Sequence, residues 1–424
     1  MSWGLLGPET LSRERRVRTL GVGAAVRAFN DMAVPGLGGV WFVKELLLAT
    51  IGVAVAEETR KRGKRVQNIE AANAIEALAC WLALTNNGWT ADPRIRGATK
   101  MRGKTDVTFN SIRRPSFYVT QPMRMATVQP LRALSLVEAN GERFNAYRLA
   151  DLGRVFIETG CGEFTPYNRS VVEHLVAWAS GDHDKVTSSS ELTRALSPLV
   201  RPSKAAYEFL RDRLLEGASD ASARRRRALA WVTELRNRRR APSWEAIPQA
   251  FDETHWRDMR AGALFFHSRD EAIGLLERIE AQISSQEYQK LPLDKALPAA
   301  IAHKVESLRA AAKAFLEYKH DRSPDLLASA LCRECSDPTA VRVLEKLVAR
   351  DGRVLTLRGR FIVPGPAFRG RTEGAPEASS DEASIETAIP QTVPLPEGIS
   401  YRVHNLYLLN LDLSNELNAW LKGA

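Results

Sequence analysis

VQPLRALSLVEANGERFNAYRLADLGRVFIE, residues 128–158, spaces its apolar side chains as a helix would, then as paired strands would, then as a helix again. Val128, Leu131 and Leu134 fall on one helical face. Asn140-Gly141 then separates two short runs suited to strands. Asn-Gly tolerates the positive φ angles of a type I′ turn, whose twist matches that of paired strands. A two-residue loop would set Ala139 opposite Glu142, Glu138 opposite Arg143 and Val137 opposite Phe144. The last two pairs, one charged and one apolar, would each contribute roughly 0.2–1 kcal/mol. Asp151 is placed to cap a second helix with Leu152, Val155 and Phe156 on one face. The stretch predicts helix, hairpin, helix.

Around it lies a chain of 424 residues, which suggests two or three domains. At 44% hydrophobic and 26% charged residues it has the profile of a folded protein. The net charge of +10 favours polyanionic partners, subject to how it is distributed. Four cysteines (Cys80, Cys161, Cys332, Cys335) are too few for a disulfide-stapled secreted chain. The N-terminus has its apolar patch before its charges, unlike a signal peptide. The most apolar run, residues 40–56, is interrupted by Lys44 and Glu45. What remains is far short of the roughly 20 residues that cross a bilayer, so a buried helix is expected. These features predict a cytoplasmic protein with no membrane partner.

The expected class is mainly α and multi-domain. An N-terminal helical region with a basic connector (1–114) precedes the helix–hairpin–helix unit (115–162). A helical domain (163–350), a β-hairpin around Arg358-Gly359 (351–364), a disordered linker rich in Pro, Gly, Ser and Glu (365–399) and a C-terminal docking segment (400–424) follow. NIEAANAIEALACWLAL reads as a helix capped by Asn68. Strands are expected near 107–109 and 117–119. The closing segment reads as a strand, then a short helix capped near Ser414.

TVQPLRALSLVEANGERFNAYRLADLGRVFIE resembles the winged helix-turn-helix superfamily of DNA-binding domains over about 40 residues. There a recognition helix leads into a Leu-x-Leu-Val strand, a basic wing and a Tyr-Arg-Leu … Leu-Gly-Arg return. Pro130 suits such a helix if the helix begins close to it, and Ser135 stands where the family usually has glycine. The resemblance implies that Arg124, Thr127, Gln129 and Arg132 lie at or before a helix able to enter the major groove. Gln and Arg can read adenine and guanine edges there, and Thr can touch phosphate or a thymine methyl. Asn140 and Arg143 would sit at the wing tip. The connector's Arg94, Arg96, Lys100, Arg102, Lys104, Arg113 and Arg114, set against Asp92 and Asp106, would add charge without sequence readout.

A second basic region spans 201–240, with twelve Lys/Arg against five Asp/Glu. It includes Arg224, Arg225, Arg226, Arg227, Arg238, Arg239 and Arg240, either a phosphate-tracking surface or a solvated helix with arginine ends. Cys332-Arg-Glu-Cys335 lacks a second CxxC, so no metal is expected there. PGLGGVWF (35–42) lacks the GKS/GKT ending of a phosphate loop and reads as a tight turn before the buried helix. In FDETHWRDMRAGALFFHSRDEA, Asp252, His255 and Met259 share a helical face, and Trp256, Phe265 and Phe266 indicate core packing rather than a hydrolytic site. His183 reads as a surface-loop residue.

The expected function is a non-catalytic subunit binding double-stranded DNA, with other protein subunits as partners. No cofactor, metal or small-molecule substrate is evident. A bacterial multiprotein complex, anti-phage defence included, is a setting that suits such a chain. The alternatives are an adaptor whose winged helix and C-terminal segment bind partner subunits, and a nuclease or other hydrolase with an unrecognised site.

Overall fold

The computed structural model describes residues 18–114, 117–183, 189–236, 238, 240–368 and 393–423. They divide into two compact units: 30–256 with 393–396 and 401–423, and 18–29 with 257–368 and 397–400. Helices dominate both, and each unit carries one small sheet among the described residues. No described helix is long and apolar enough to cross a membrane.

The first unit is organised around α1 (Val43–Lys61), which is apolar on every side and buried on nearly every side. Against it pack α2 (Asn68–Asn86), α3 (Arg124–Ala133), α4 (Asp151–Cys161) and the helix Val171–Ser180. A Cβ at Gly52 of α1 would lie 2.7 Å from the Cα of Ala72, so glycine is what lets α1 and α2 approach so closely. Asn68 is not the cap of α2. It points inward, while Asn145 accepts a hydrogen bond from the Ile69 N–H (2.9 Å) and Glu70 one from the Gln67 N–H (2.9 Å).

The decisive stretch forms α3, β1 (Val137–Ala139), β2 (Tyr147–Leu149) and α4. Its register differs from the one expected. Val137 faces Leu149, Glu138 faces Arg148 and Ala139 faces Tyr147, with a 3-10 turn at Phe144–Ala146. Neither Asn140 nor Gly141 has the positive φ of a type I′ turn. The reason is parity: a continuous strand would send Phe144 and Tyr147, three residues apart, to opposite faces. The turn brings both inward, where their rings meet at 5.3 Å and both are buried with Leu149.

Pro130 lies well inside α3, not at its start. Its missing N–H frees the carbonyl of Ala126, which accepts instead from the N–H of Gly39 (3.3 Å). The turn at 35–42 thus lies against α3. Ser135 takes a left-handed φ of 57°, and the N–H groups of Ser135 and Leu136 close α3 onto the carbonyls of Arg132 and Leu131 (both 2.9 Å). That is the Schellman ending glycine usually supplies. In α4, Asp151 is the first helical residue and Ala150 the cap position, so Asp151 does not cap. The buried stripe is Gly153, Phe156 and Gly160; Val155 points to solvent.

Three other expectations change. Phe109–Ile112 is a short helix, and neither 107–109 nor 117–119 forms a strand. The closing segment is the helix Tyr401–Leu413 followed by Leu417–Leu421, with no strand. Its apolar residues recur at helical spacing and bury Val403, Leu406, Tyr407, Leu409 and Leu411 within its own unit, against α5 (Lys204–Leu215) and α6 (Asp220–Leu235). Of the expected linker, 369–392 lies outside the described residues. Gly365 and Ala367 donate backbone hydrogen bonds to Val354 and Arg353 (2.9 and 2.8 Å), and Val393 is buried.

In the second unit, the helix Glu253–Ser284 contributes Phe265 and Phe266 to an aromatic cluster with Phe29 and Phe315. There follow β3 (Leu291–Pro292), α7 (Ala299–Tyr318), α8 (Leu327–Cys335), α9 (Ala340–Asp351), β4 (Leu355–Arg358) and β5 (Phe361–Pro364). The hairpin around Arg358-Gly359 is β4–β5, and β3 adds to it in the order β3-β5-β4. Cys332 and Cys335 are both buried in α8, where burial pushes the Cys332 thiol up to about 12.

Candidate nucleic-acid interface

Helix α3 has two sides. Thr127, Pro130, Leu131 and Leu134 face the unit's interior. Met125, Gln129 and Arg132, at steps of four and three residues, face outward. Two of the expected helix readers are therefore misplaced. Thr127 is fully buried, its hydroxyl donating to the Arg124 carbonyl (2.9 Å). Arg124 turns inward, donating to Asn73 Oδ1 (2.7 Å) with its guanidinium 5.8 Å from the Phe144 ring, and burial lowers its pKa. Gln129 and Arg132 remain outside, as do Asn140 and Arg143 and, on β2, Arg148.

The ribbon is held from beneath. Asn68 Nδ2 donates to the carbonyls of Phe144 (3.0 Å) and Tyr147 (2.8 Å), and its Oδ1 accepts from Arg60 (2.9 Å). Asn145 Nδ2 donates to Gln67 (3.0 Å), and the Tyr147 hydroxyl donates to the Val128 carbonyl (2.8 Å). Helix and ribbon are thus presented on a hydrogen-bonded platform.

Below α3 lie two buried carboxylates. Glu76 accepts from the Tyr118 hydroxyl (2.6 Å), and burial raises its pKa to about 7. Glu45 accepts from the Trp41 N–H (3.2 Å), and burial raises its pKa to about 8 against the pull of Arg96, 3.8 Å away. Lys44 donates to the Ala195 carbonyl (2.8 Å), and burial lowers its pKa to about 8. Sequence reasoning treated Lys44 and Glu45 only as interruptions of an apolar run. Two charges inside such a run were the signal that buried partners existed elsewhere.

Much of the connector's charge is used internally, contrary to expectation. Arg94 grips Asp92 (2.9 and 2.7 Å) and bonds Asn418. Arg96 reaches Glu45 and donates to the Gln121 carbonyl (3.0 Å). Lys104 donates to the Phe117 carbonyl (2.9 Å) over that residue's ring, and Arg113 pairs with Glu70 (3.5 Å). Lys100, Arg102 and Arg114 stay exposed.

The arginines of α6 do not form a phosphate-tracking surface. Helix α5 ends at Leu215, leaving carbonyls without intrahelical donors. Arg225, 3% exposed, donates to the carbonyls of Leu214 (3.1 Å) and Glu216 (3.3 Å), and Arg226 to those of Leu215 (3.1 Å) and Gly217. Arg224 bonds Asp220 (3.0 Å) and the Met32 carbonyl (3.1 Å), and Arg227 pairs with Asp252 (2.8 Å). Arg238 and Arg240 are exposed; Arg239 lies outside the described residues.

The Asp252/His255 pair is structural in its geometry. The Asp252 carboxylate accepts from the His255 N–H (2.7 Å), His255 Nε2 lies 2.9 Å from the Ala33 carbonyl, and burial lowers the imidazole pKa to about 4. Met259, Trp256, Phe265 and Phe266 are buried, and His183 is exposed beside Arg169. Among the described residues no group of three or more His, Cys, Asp or Glu side chains is placed to hold a metal ion. No protein-family model, curated protein or solved structure matches the chain.

Proposed function

We propose that this chain is a non-catalytic nucleic-acid-binding subunit that engages duplex DNA through the outward face of α3 and the neighbouring ribbon, in the manner of a winged helix. The observation that carries the reading is the sorting of polar side chains on this unit. Arg124 and Thr127 are consumed inside, whereas Gln129 and Arg132 share one exposed helical face, and Arg143 and Arg148 stand exposed on the ribbon beside it. A helix with Gln and Arg outward suits base edges in a major groove, and ribbon cations suit the phosphates that flank it. The test is equilibrium binding of a labelled duplex by wild type and by the variant Arg132→Glu, Arg143→Glu, Arg148→Glu. Affinity should collapse in the variant, and in the wild type log affinity should fall linearly with log salt. Equal binding by the two proteins refutes this placement.

One observation favours an adaptor role as a second reading. Met125 is 43% exposed on the same face, and an apolar side chain there gains from a protein surface. Under that reading the α3 face retains a stoichiometric partner protein, Met125→Glu abolishes retention, and added salt leaves it largely intact.

A further inference from the structure

We infer that the second unit carries its own duplex-DNA-binding element, in which α9 enters the major groove and the β4–β5 tip contacts the flanking backbone. The inference rests on different residues from those of α3 and stands whether or not α3 touches DNA.

Helices α8 and α9 are separated by four residues, 336–339, the span of the joint in a helix-turn-helix. That joint is locked. Arg309 of α7 donates to the carbonyls of Asp337 and Pro338 (both 2.8 Å). Arg350 of α9 grips Glu334 of α8 through two hydrogen bonds (2.5 and 2.9 Å) and donates to the Leu20 carbonyl (2.8 Å). Val343, Leu344, Leu347 and Val348 are fully buried, and α9 packs on α7, α8 and β4. The opposite side, with Arg342, Glu345, Lys346 and Ala349, is exposed. A helix fixed on one side and bare on the other is a presented helix.

What lies beside that face decides its occupant. Gly352 closes α9 at a left-handed φ of 56°, exposed Arg353 follows, and β4 turns into β5 through Gly359-Arg360. Arg358 and Arg360 flank Gly359, and all three are exposed. The exposed cations of α9 and of the hairpin whose β4 packs on it are thus Arg342, Lys346, Arg353, Arg358 and Arg360, against Glu345 and against Asp337, which holds Lys346 at 3.3 Å. A cationic hairpin tip next to a presented helix complements a groove bordered by phosphates. B-form DNA has a major groove wide enough for a helix, whereas that of A-form RNA is too deep and narrow for side chains to read. Duplex DNA is therefore the occupant, and Arg342, near the start of α9, is the side chain best placed for a guanine edge.

The experiment uses the full chain and a fluorescein-labelled DNA duplex of about 30 base pairs, titrated by anisotropy at about 50 and about 200 mM salt. The variant Arg342→Glu, Arg358→Glu, Arg360→Glu should bind at least about tenfold more weakly at the lower salt. Arg358 and Arg360 supply two lost phosphate contacts, which remove a slope of about 1.8 in log affinity against log salt, so wild type should lose roughly 12-fold more affinity between the two salts than the variant does. Arg358→Gln with Arg360→Gln, a milder change at an exposed tip, should move both readings the same way, which separates loss of contact from loss of fold. Wild-type affinity in the triple variant overturns the inference. If the triple variant of α9 and the hairpin tip binds as wild type while Arg132→Glu, Arg143→Glu, Arg148→Glu loses binding, binding through α3 stands alone. Equal affinity for an RNA duplex of the same sequence overturns the major-groove placement, and no binding by wild type at the lower salt overturns both interfaces.

Discussion

Asn68 is the side chain on which the ribbon's geometry hangs, and replacing it tests the fold of this region directly. It is fully buried and makes three hydrogen bonds: two donated to the carbonyls of Phe144 and Tyr147, one accepted from Arg60. Asn68→Ala removes all three. Arg60 is exposed and also donates to the Val66 carbonyl (3.0 Å), so its loss is largely repaid by water. The Phe144 carbonyl still accepts from the Tyr147 N–H and loses about 1 kcal/mol, whereas the Tyr147 carbonyl loses its side-chain donor at about 1–3 kcal/mol. The expected loss is therefore about 2–4 kcal/mol, read by urea denaturation. Asn68→Asp keeps the acceptor for Arg60 but sets a carboxylate against two carbonyls, so it should be the more damaging of the two. Trypsin should cut wild type slowly after Arg143 and Arg148 and Asn68→Ala much faster, because the ribbon opens locally before the unit unfolds. A loss below about 1 kcal/mol, or unchanged trypsin sensitivity, would show that Asn68 does not hold the ribbon.

Two further outcomes follow from buried charge and from the capping arginines. Burial lifts the Glu45 pKa from an unfolded value near 4.5 to about 8, so its contribution to stability is fully present below the lower value and is lost as pH rises through the upper one. The stability of Glu45→Gln relative to wild type should therefore climb between about pH 5 and pH 8, by at most about 1.4 kcal/mol per pH unit, in urea melts at matched pH; a pH-independent difference would contradict this. Arg226→Ala should cost about 1 kcal/mol by uncapping α5 while leaving duplex affinity as in wild type, and a loss of affinity without a loss of stability would return α6 to the binding surface.

Helices were legible where apolar spacing ran long. Residues 40–56 are apolar all round, and only a helix enclosed by neighbours satisfies that pattern, so α1 emerged as the hub. The ribbon's existence was legible too, but its register was not. Asn-Gly argues for the tightest turn from local φ preference and from cross-strand pairs of roughly 0.2–1 kcal/mol each. Burying Phe144 and Tyr147 on the same side is worth roughly 1.5–3 kcal/mol per ring, and the three-residue offset between them demands a turn that a strand cannot supply. Distant contacts outweigh the local signal. The second unit's joint was overlooked for another reason. Asp337-Pro338 marks a helix stop and start, yet its meaning depends on Arg309 reaching it from α7, twenty-eight residues earlier in the chain.

Charge was the least legible feature, and the cause lies in the chemistry of the guanidinium. Arginine carries five donors in a rigid plane, so one side chain can satisfy two carbonyls that a helix end leaves bare, at the cost of giving up its hydration. Arg225, Arg226 and Arg309 all do this, and in sequence they are indistinguishable from arginines that wait for a phosphate. What separates the two kinds is the segment each arginine neighbours. A cluster that follows a helix terminus at a short loop's distance, as Arg224 to Arg227 follow Leu215, has bare carbonyls within reach and is drawn to them. Arg360, in the two-residue turn between β4 and β5, lies nine residues past the end of α9 and is exposed. Position relative to a helix end, rather than the number of positive charges, is what separates Arg225 and Arg226 from the exposed Arg358 and Arg360.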